Sequence, residues 1–261
     1  MPELPEVEHA ARQLERSARG RMITRLEALH PALRRRLPPR RARRAVGTTV
    51  ERVERRGKHQ LVHLASGDVL HVHFRMTGEW VVGRSAEALP PYARAVLELD
   101  DGTRVTLADP RALSTITLGT AAELALPPLA AEPLDSGFSA ATLGARLSSR
   151  SGSMKPALLD QRVVAGLGNI YAVEALWRAR IDPRTCAARL GVRRLTRLAE
   201  SIREVIRDAL DSPARYSDAA ARPAFAVYDR EGEPCPRCGS RVRRIVQAGR
   251  STFFCGKCQR L

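Results

Sequence analysis

The chain has 261 residues, 44 Lys plus Arg against 28 Asp plus Glu, and a formal net charge of +16 at pH 7. That length suits two ordinary domains with cores of their own, and that charge calls for a polyanionic partner, nucleic acid ahead of a membrane surface. No apolar run reaches the roughly 18 to 20 residues of a spanning helix and no signal-peptide pattern starts the chain, so a membrane protein is excluded and a cytoplasmic one expected. Only three of the basic residues are lysines, Lys58, Lys155 and Lys257. Arginine and lysine are not equivalent where a compact ammonium is required, so these three are candidates for specific roles, with Lys257 the least compelling.

The chain opens Met1-Pro2-Glu3-Leu4-Pro5-Glu6-Val7-Glu8. Removal of Met1 leaves Pro2 with a secondary amine beside Glu3 and Glu6. An α-amino group titrates near pH 8, far below lysine, and a neutral amine with a proton-handling neighbour is an imine-forming nucleophile. A second reading stays open on these residues alone, in which the prolines pre-set φ and the glutamates favour the N-terminal dipole of a helix. That helix is predicted from Val7, Ala10, Ala11, Leu14 and Ala18, with Gly20 as its stop. The stretch 34–44, arginine-rich and broken by Pro38-Pro39, reads as a solvated basic loop.

From Val46 to about Leu118 the sequence alternates as strands do. Val62 and Leu64 precede a Ser66-Gly67-Asp68 turn and the run from Val69 to Phe74, and Val96–Leu99 joins Val105–Leu107 through Asp101-Gly102. An antiparallel β-sandwich is the natural reading. Residues 121–136, rich in Ala and Pro, read as a linker. Beyond it the period turns helical over Ala140–Leu147, Pro156–Val164, Ile170–Arg180 and Val192–Leu210. Gly166-Leu167-Gly168 precedes the third of these helices, where backbone N–H groups can face a phosphate. The fold class is therefore α+β.

Cys235-Pro-Arg-Cys238 and Cys255-Gly-Lys-Cys258 are separated by sixteen residues, the spacing of a four-thiolate zinc site on two hairpin knuckles. One zinc is expected, structural because four cysteines leave no open coordination position. Cys186, the fifth cysteine, is expected to be a small buried core residue. Arg241, Arg243, Arg244 and Arg250 make the intervening hairpin a phosphate-binding finger.

The opening string, the segment from Asp160 to Ala172 and Gly249-Arg250-Ser251-Thr252-Phe253-Phe254-Cys255 resemble the formamidopyrimidine-DNA glycosylase and endonuclease VIII family of base-excision repair enzymes, with Leu4 and Val7-Glu8 closer to the formamidopyrimidine branch. The resemblance covers nearly the whole chain. It implies four segments: a β-sandwich catalytic domain with an N-terminal helix over 1–120, a linker over 121–136, a helix-two-turn-helix DNA-binding domain over 137–227 and a β-hairpin zinc finger over 228–261. It implies Pro2 as nucleophile, Glu3 as proton-transfer group, Glu6 ordering the Pro2 region, and Lys58 on the DNA backbone beside the lesion. Lys155, Asn169 and Arg250 become DNA contacts. Met76, in His73-Phe74-Arg75-Met76-Thr77-Gly78, would enter the space vacated by an everted nucleotide, and Arg111 would face the orphaned base.

Two departures from the family pattern bear on substrate choice. Leu113 stands where the formamidopyrimidine branch usually carries an aromatic, and Tyr216–Phe225 is shorter than the loop that closes over 8-oxoguanine in relatives specific for it. The implied activity is a bifunctional DNA glycosylase and AP lyase acting by β- and then δ-elimination. The partner is double-stranded DNA with damaged bases or abasic sites, met by a monomer in the bacterial cytosol or nucleoid. The alternatives are the same chemistry directed at oxidised pyrimidines or bulky adducts, and a catalytically silent zinc-finger DNA-binding protein.

Overall fold

The computed structural model describes residues 1–212 and 225–261, so all of the Tyr216–Phe225 loop except Phe225 lies outside the described residues. The chain divides into two compact units, residues 1–127 and 128–261.

The first unit begins with α1, Leu4–Ala18, whose apolar stripe Leu4, Val7, Ala10, Ala11, Leu14 and Ala18 is buried. The strands β1 (Ile23–Ala28), β2 (Val50–Arg56), β3 (His59–Leu64), β4 (Asp68–His73), β5 (Glu79–Arg84), β6 (Ala93–Leu99), β7 (Thr103–Ala108) and β8 (Thr115–Thr120) form two antiparallel four-stranded sheets, ordered β1-β6-β7-β5 and β2-β3-β4-β8. Inward positions such as Val62, Leu70, Val72, Leu97, Val105, Leu107 and Ile116 share one apolar core with the α1 stripe, and this period-2 burial is why alternation identified the sandwich. Inside it, Trp80 donates to Gln60 Oε1 at 2.8 Å, so the buried indole N–H finds a partner. The edge strand β1, with two exposed positions in succession, has no clean alternation and is absent from the sequence expectation.

The arginine-rich stretch is not a loop. It forms two single-turn helices, α2 (Pro31–Arg34) and α3 (Pro39–Ala42), and a 3-10 turn over Arg43–Ala45. Pro31 and Pro39 each open a turn, where a missing N–H costs nothing, and Leu33, Leu37, Ala42 and Ala45 anchor the turns in the core while the arginines stay outside. Arg44 donates to the buried Asp68 carboxylate at 3.0 Å.

The second unit contains α4 (Ala140–Leu147), α5 (Met154–Leu159), α6 (Asn169–Arg178) and α7 (Val192–Asp211), followed by the hairpin β9 (Arg243–Gln247) and β10 (Arg250–Phe254). Three helices lie close to their expected bounds. The second does not: α5 starts at Met154 and ends at Leu159, and residues 160–168 are turns. Gln161 organises them, donating to Leu159 O and Leu167 O and accepting from the Gly166 N–H. Those side-chain bonds replace the helical ladder and let Gly166 take φ 83°. Residues 128–133 carry no regular element, yet Ala130 and Pro133 are held to Gln161 and Arg203 through their backbones. Cys186 is half-buried, not a core residue. Its position just before a short 3-10 turn at the surface exposes it, a context that composition does not reveal.

Candidate active site and metal centre

The first group of predicted residues sits on the first unit. Glu3 is the N-cap of α1 and Pro5 occupies its first turn; the Glu6 carboxylate reaches back to accept the Glu3 N–H at 2.8 Å, a capping box. The helix-start reading of this string is thus present, and the caps that start the helix also fix the backbone on which Pro2 rides. Burial lowers the pKa of the terminal amine, carried here by Met1, against the attraction of Glu3 and Glu6, and Lys58 and Arg111 lower it further. The amine, two glutamates and two cations therefore share one electrostatic neighbourhood, and loss of Met1 would move the amine to Pro2.

Lys58 lies in the turn between β2 and β3 and is only 8% exposed. Its placement comes from residues the sequence did not single out. Glu8 on α1 accepts from Arg55 at 2.6 Å, and Arg55 also donates to Gly57 O at 2.9 Å, clamping the Lys58 turn to the helix that carries Pro2. Glu15, two turns further along, accepts the Val53 N–H on β2.

Met76 and Arg111 sit on two loops knitted together by Asp109. This fully buried carboxylate accepts the N–H groups of Arg111 (3.1 Å), Leu113 (2.8 Å) and Ser114 (2.7 Å), the Ser114 hydroxyl (2.7 Å) and the Thr77 hydroxyl. Burial works against ionisation, but the Ser114 and Thr77 hydrogen bonds outweigh it and hold the Asp109 pKa below its ordinary value. The loops approach so closely that a Cβ on Gly78 would lie 2.8 Å from Phe74 O and 2.3 Å from Ser114 Oγ. The result is presentation of apolar and cationic tips: Met76 is 39% exposed, Leu113 is 44% exposed and Arg111 is exposed. Beside them His59, His71 and His73 cluster on the outer face of β3 and β4. His59 and His71 share a hydrogen bond of 2.8 Å, and the His73 ring meets His59 edge-on at 4.7 Å. Burial first, then mutual repulsion and the Arg75 and Lys58 charges, bring His59 down to about 4 and His73 to about 3.

The second group sits on the second unit. Asn169 is the first residue of α6, and its Nδ2 donates to Ser251 O on β10 at 3.1 Å, so the helix N-terminus and the hairpin bearing Arg250 are joined directly. Ala248 and Gly249, both with positive φ, make the tight turn that leaves Arg250 exposed at the hairpin tip. Lys155 lies on α5 and is fully buried, a location different from the exposed face expected of a simple backbone contact. Glu174, buried on α6 and unmarked by any sequence motif, accepts the N–H groups of Ala226, Val227 and Tyr228 at 2.8–2.9 Å, fixing the entry to the finger.

The four cysteine sulfurs all lie within 4.8 Å of one another. Cys238 and Cys255 are 3.6 Å apart and Cys235 and Cys258 3.9 Å, close to the roughly 3.8 Å edge of a tetrahedron with Zn–S bonds of about 2.3 Å. The donor set fits one structural zinc. Trp177 of α6 donates to Cys235 Sγ at 3.4 Å, an outer-shell bond that orients the ligand.

Residues 1–116 match the formamidopyrimidine-DNA glycosylase N-terminal domain, 129–219 the formamidopyrimidine-DNA glycosylase H2TH domain and 232–261 the zinc finger found in FPG and IleRS. The formamidopyrimidine-DNA glycosylase of Rhizorhabdus wittichii is 41% identical over 273 residues, covering all of both chains. That of Chloroflexus aggregans is 42% identical over 271 residues, 99% of this chain and 98% of its own. Among solved structures, a Lactococcus lactis FPG mutant bound to DNA containing Fapy-dG superposes with a TM-score of 0.91 at 30% identity over the whole of both chains. A MutM complex with DNA containing carbocyclic 8-oxo-G gives the same TM-score and identity. Fold, zinc centre and sequence agree: the chain belongs to the formamidopyrimidine-DNA glycosylase family.

Proposed function

We propose that this chain is a bifunctional DNA glycosylase and AP lyase of base-excision repair. With Met1 removed, the neutral Pro2 nitrogen attacks C1′ of an everted damaged nucleotide, the N-glycosidic bond breaks, and the base departs taking a proton. The C1′–O4′ bond then breaks, O4′ taking a proton, and the resulting iminium acidifies the C2′ hydrogens, so β- and then δ-elimination expel the 3′ and 5′ phosphates and leave a one-nucleotide gap. Glu3, next to the amine and nearly inaccessible to solvent, handles protons. Lys58 holds the phosphodiester beside the reacting sugar, and Asn169 and Arg250 take further phosphates, whereas Lys155, fully buried, is assigned none. Met76 fills the vacated stack and Arg111 meets the orphaned base. The zinc folds the finger and takes no part in the chemistry.

The observation that carries this reading is the neighbourhood of the terminal amine, where burial, Lys58 and Arg111 lower its pKa and two carboxylates, Glu3 and Glu6, stand beside it. It also disfavours a silent DNA-binding protein, which has no use for such an amine. The relatives whose complexes contain Fapy-dG, 8-oxo-G or an abasic site point to damaged purines as substrates. The exposed Leu113 in place of an aromatic relaxes the opposite-base preference, and the short loop over 216–225 favours ring-opened and abasic substrates over 8-oxoguanine paired with cytosine. The enzyme works as a monomer in the bacterial cytoplasm; among the described residues no helix is long and apolar enough to cross a membrane. Borohydride trapping on abasic-site DNA tests the chemistry. The wild-type chain gives a covalent adduct, while Pro2→Gly and a chain retaining Met1 give little; undiminished trapping by both removes Pro2 from the mechanism.

A further inference from the structure

Several surface arginines of the second unit have carboxylate partners: Arg178 pairs with Glu204 and Asp208, Arg184 with Asp182, Arg162 with Asp160 and Arg230 with Glu233. One region is different. Arg180, Arg194, Arg197, Arg237, Lys257 and Arg260 line a single cleft of about 550 Å³, with no aspartate or glutamate side chain in its wall. Among the described residues, none of these six cations lies within ion-pair distance of a carboxylate.

The cleft is assembled from separate parts of the chain: the turn after α6, the first turns of α7, both cysteine knuckles and the last residues. Three of its guanidinium groups are held by backbone carbonyls. Arg194 donates to Arg260 O at 2.8 Å, Arg197 to Ala179 O at 2.6 Å, and Arg237 to Trp177 O at 3.1 Å while stacking 4.1 Å over the Trp177 ring. Each of these bonds uses one of five N–H donors and leaves the others for a ligand, and side chains already fixed lose little entropy when an anion arrives. Crowding has a cost in its absence: burial and the Arg197 charge pull the Arg194 guanidinium below its ordinary pKa.

This cleft is not the Arg250 surface. Helix α6 has ten residues and so is about 15 Å long. Its first residue, Asn169, touches the hairpin at Ser251, whereas Trp177, near its other end, touches Cys235 and Arg237. The hairpin tip and the knuckle cleft thus lie towards opposite ends of α6. Lys257, one of three lysines in an arginine-dominated chain, falls in the cleft.

We propose that the cleft is a second anion site of this chain, taking a run of phosphate groups from a nucleic-acid strand or a polyphosphate. Cys238 and Cys258 also line the cleft, and six cations exceed the net −2 of a four-thiolate zinc site; guanidinium forks match phosphate oxygens two at a time. The site is independent of the glycosylase reading.

The test uses the full zinc-loaded chain, with inorganic tripolyphosphate followed by calorimetry and fluorescein-labelled (dT)8 by anisotropy. Lys257→Gln with Arg260→Gln weakens tripolyphosphate binding tenfold or more and Lys257→Arg retains it, whereas Arg250→Ala at the hairpin tip changes it less than twofold. Zinc content and melting temperature are measured on every variant; if the double variant loses zinc, Arg180→Gln, outside the knuckles, carries the comparison. Loss of (dT)8 binding in the same cleft variants assigns a nucleic-acid strand, and tripolyphosphate binding without cleft-dependent (dT)8 binding assigns a free polyphosphate. Unchanged binding by the cleft variants, loss through Arg250→Ala alone, or hexaglutamate binding as tightly as tripolyphosphate overturns the proposal.

Discussion

Met76, Arg111 and Lys58 ride on loops of the β-sandwich whose backbones are fixed by buried or half-buried acids, Asp109 and the Glu8–Arg55 pair, above an apolar core built from both sheets and α1. Arg250 rides on a two-stranded hairpin whose small core, Val173, Val227, Cys235, Val242, Phe253 and Cys255, includes two of the four metal ligands. The sandwich places these candidate residues by hydrophobic burial and satisfied hydrogen bonds. The ribbon buries too little to do so alone and depends on thiolates gathered around a metal. Perturbations of metal, of buried carboxylates and of pH therefore separate the two regions.

The largest effect is expected from removing the zinc. Chelation, or Cys238→Ser, unfolds the finger and abolishes Arg250-dependent DNA binding, while the far-ultraviolet strand signal and cooperative melting of the sandwich persist. Elemental analysis gives one zinc per chain; metal-free protein with an intact finger breaks the contrast at its base.

Next is Asp109→Ala, which leaves the N–H groups of Arg111, Leu113 and Ser114 without their acceptor. Buried unsatisfied donors cost about 1–3 kcal/mol each, so a loss of about 3 kcal/mol and a melting temperature lower by roughly 10 °C are expected, with zinc content unchanged. A fall below 1 kcal/mol shows that the loops stand without Asp109.

The histidine cluster gives the sandwich an acid limit. His59, about 4 when folded, and His73, about 3, bind protons more readily unfolded, near 6.5. Their contribution is complete above about pH 6.5 and is lost as pH falls from there through about 4 and 3. Urea midpoints from pH 7.5 to pH 5 should decline, and His59→Phe should flatten the decline. An equally steep slope in the variant assigns the acid sensitivity elsewhere.

Arg250→Ala tests the ribbon side at smaller scale. Loss of one phosphate contact weakens binding on every sequence alike and reduces the salt slope by about one unit; wild-type slope and affinity displace Arg250 from the DNA. Smallest is Leu113→Phe, which should sharpen discrimination of the base opposite the lesion a few-fold without altering abasic-site cleavage. Single-turnover rates on duplexes differing only in that base decide it.

Local periodicity carried much of the fold. The α1 stripe, α4 and α7 are legible because their burial follows a 3.6-residue period, and the Asp101-Gly102 hairpin because its turn residues separate two apolar runs. The failures have physical causes. Pro38-Pro39 in the arginine-rich stretch look like helix breakers, but together they open one new turn, as Pro31 opens the one before it, and Leu33, Leu37, Ala42 and Ala45 anchor both in the core. At the end of α5 the Gln161 side chain replaces the backbone ladder, a competition that apolar spacing does not register.

The sequence by itself determined the α+β class, the four-cysteine zinc centre and the family, because thiolate spacing and the N-terminal string are short-range properties written in consecutive residues. Only tertiary structure decided what holds the candidate groups in place. Asp109 gathers donors from two loops, Glu8 reaches a strand 47 positions away through Arg55, Glu174 caps a segment more than 50 residues distant, and six cations from four parts of the chain meet in one cleft. A lone acid or base in a sequence has no visible partner. Its role appears only when the fold removes water from around it and brings the compensating group within hydrogen-bond reach.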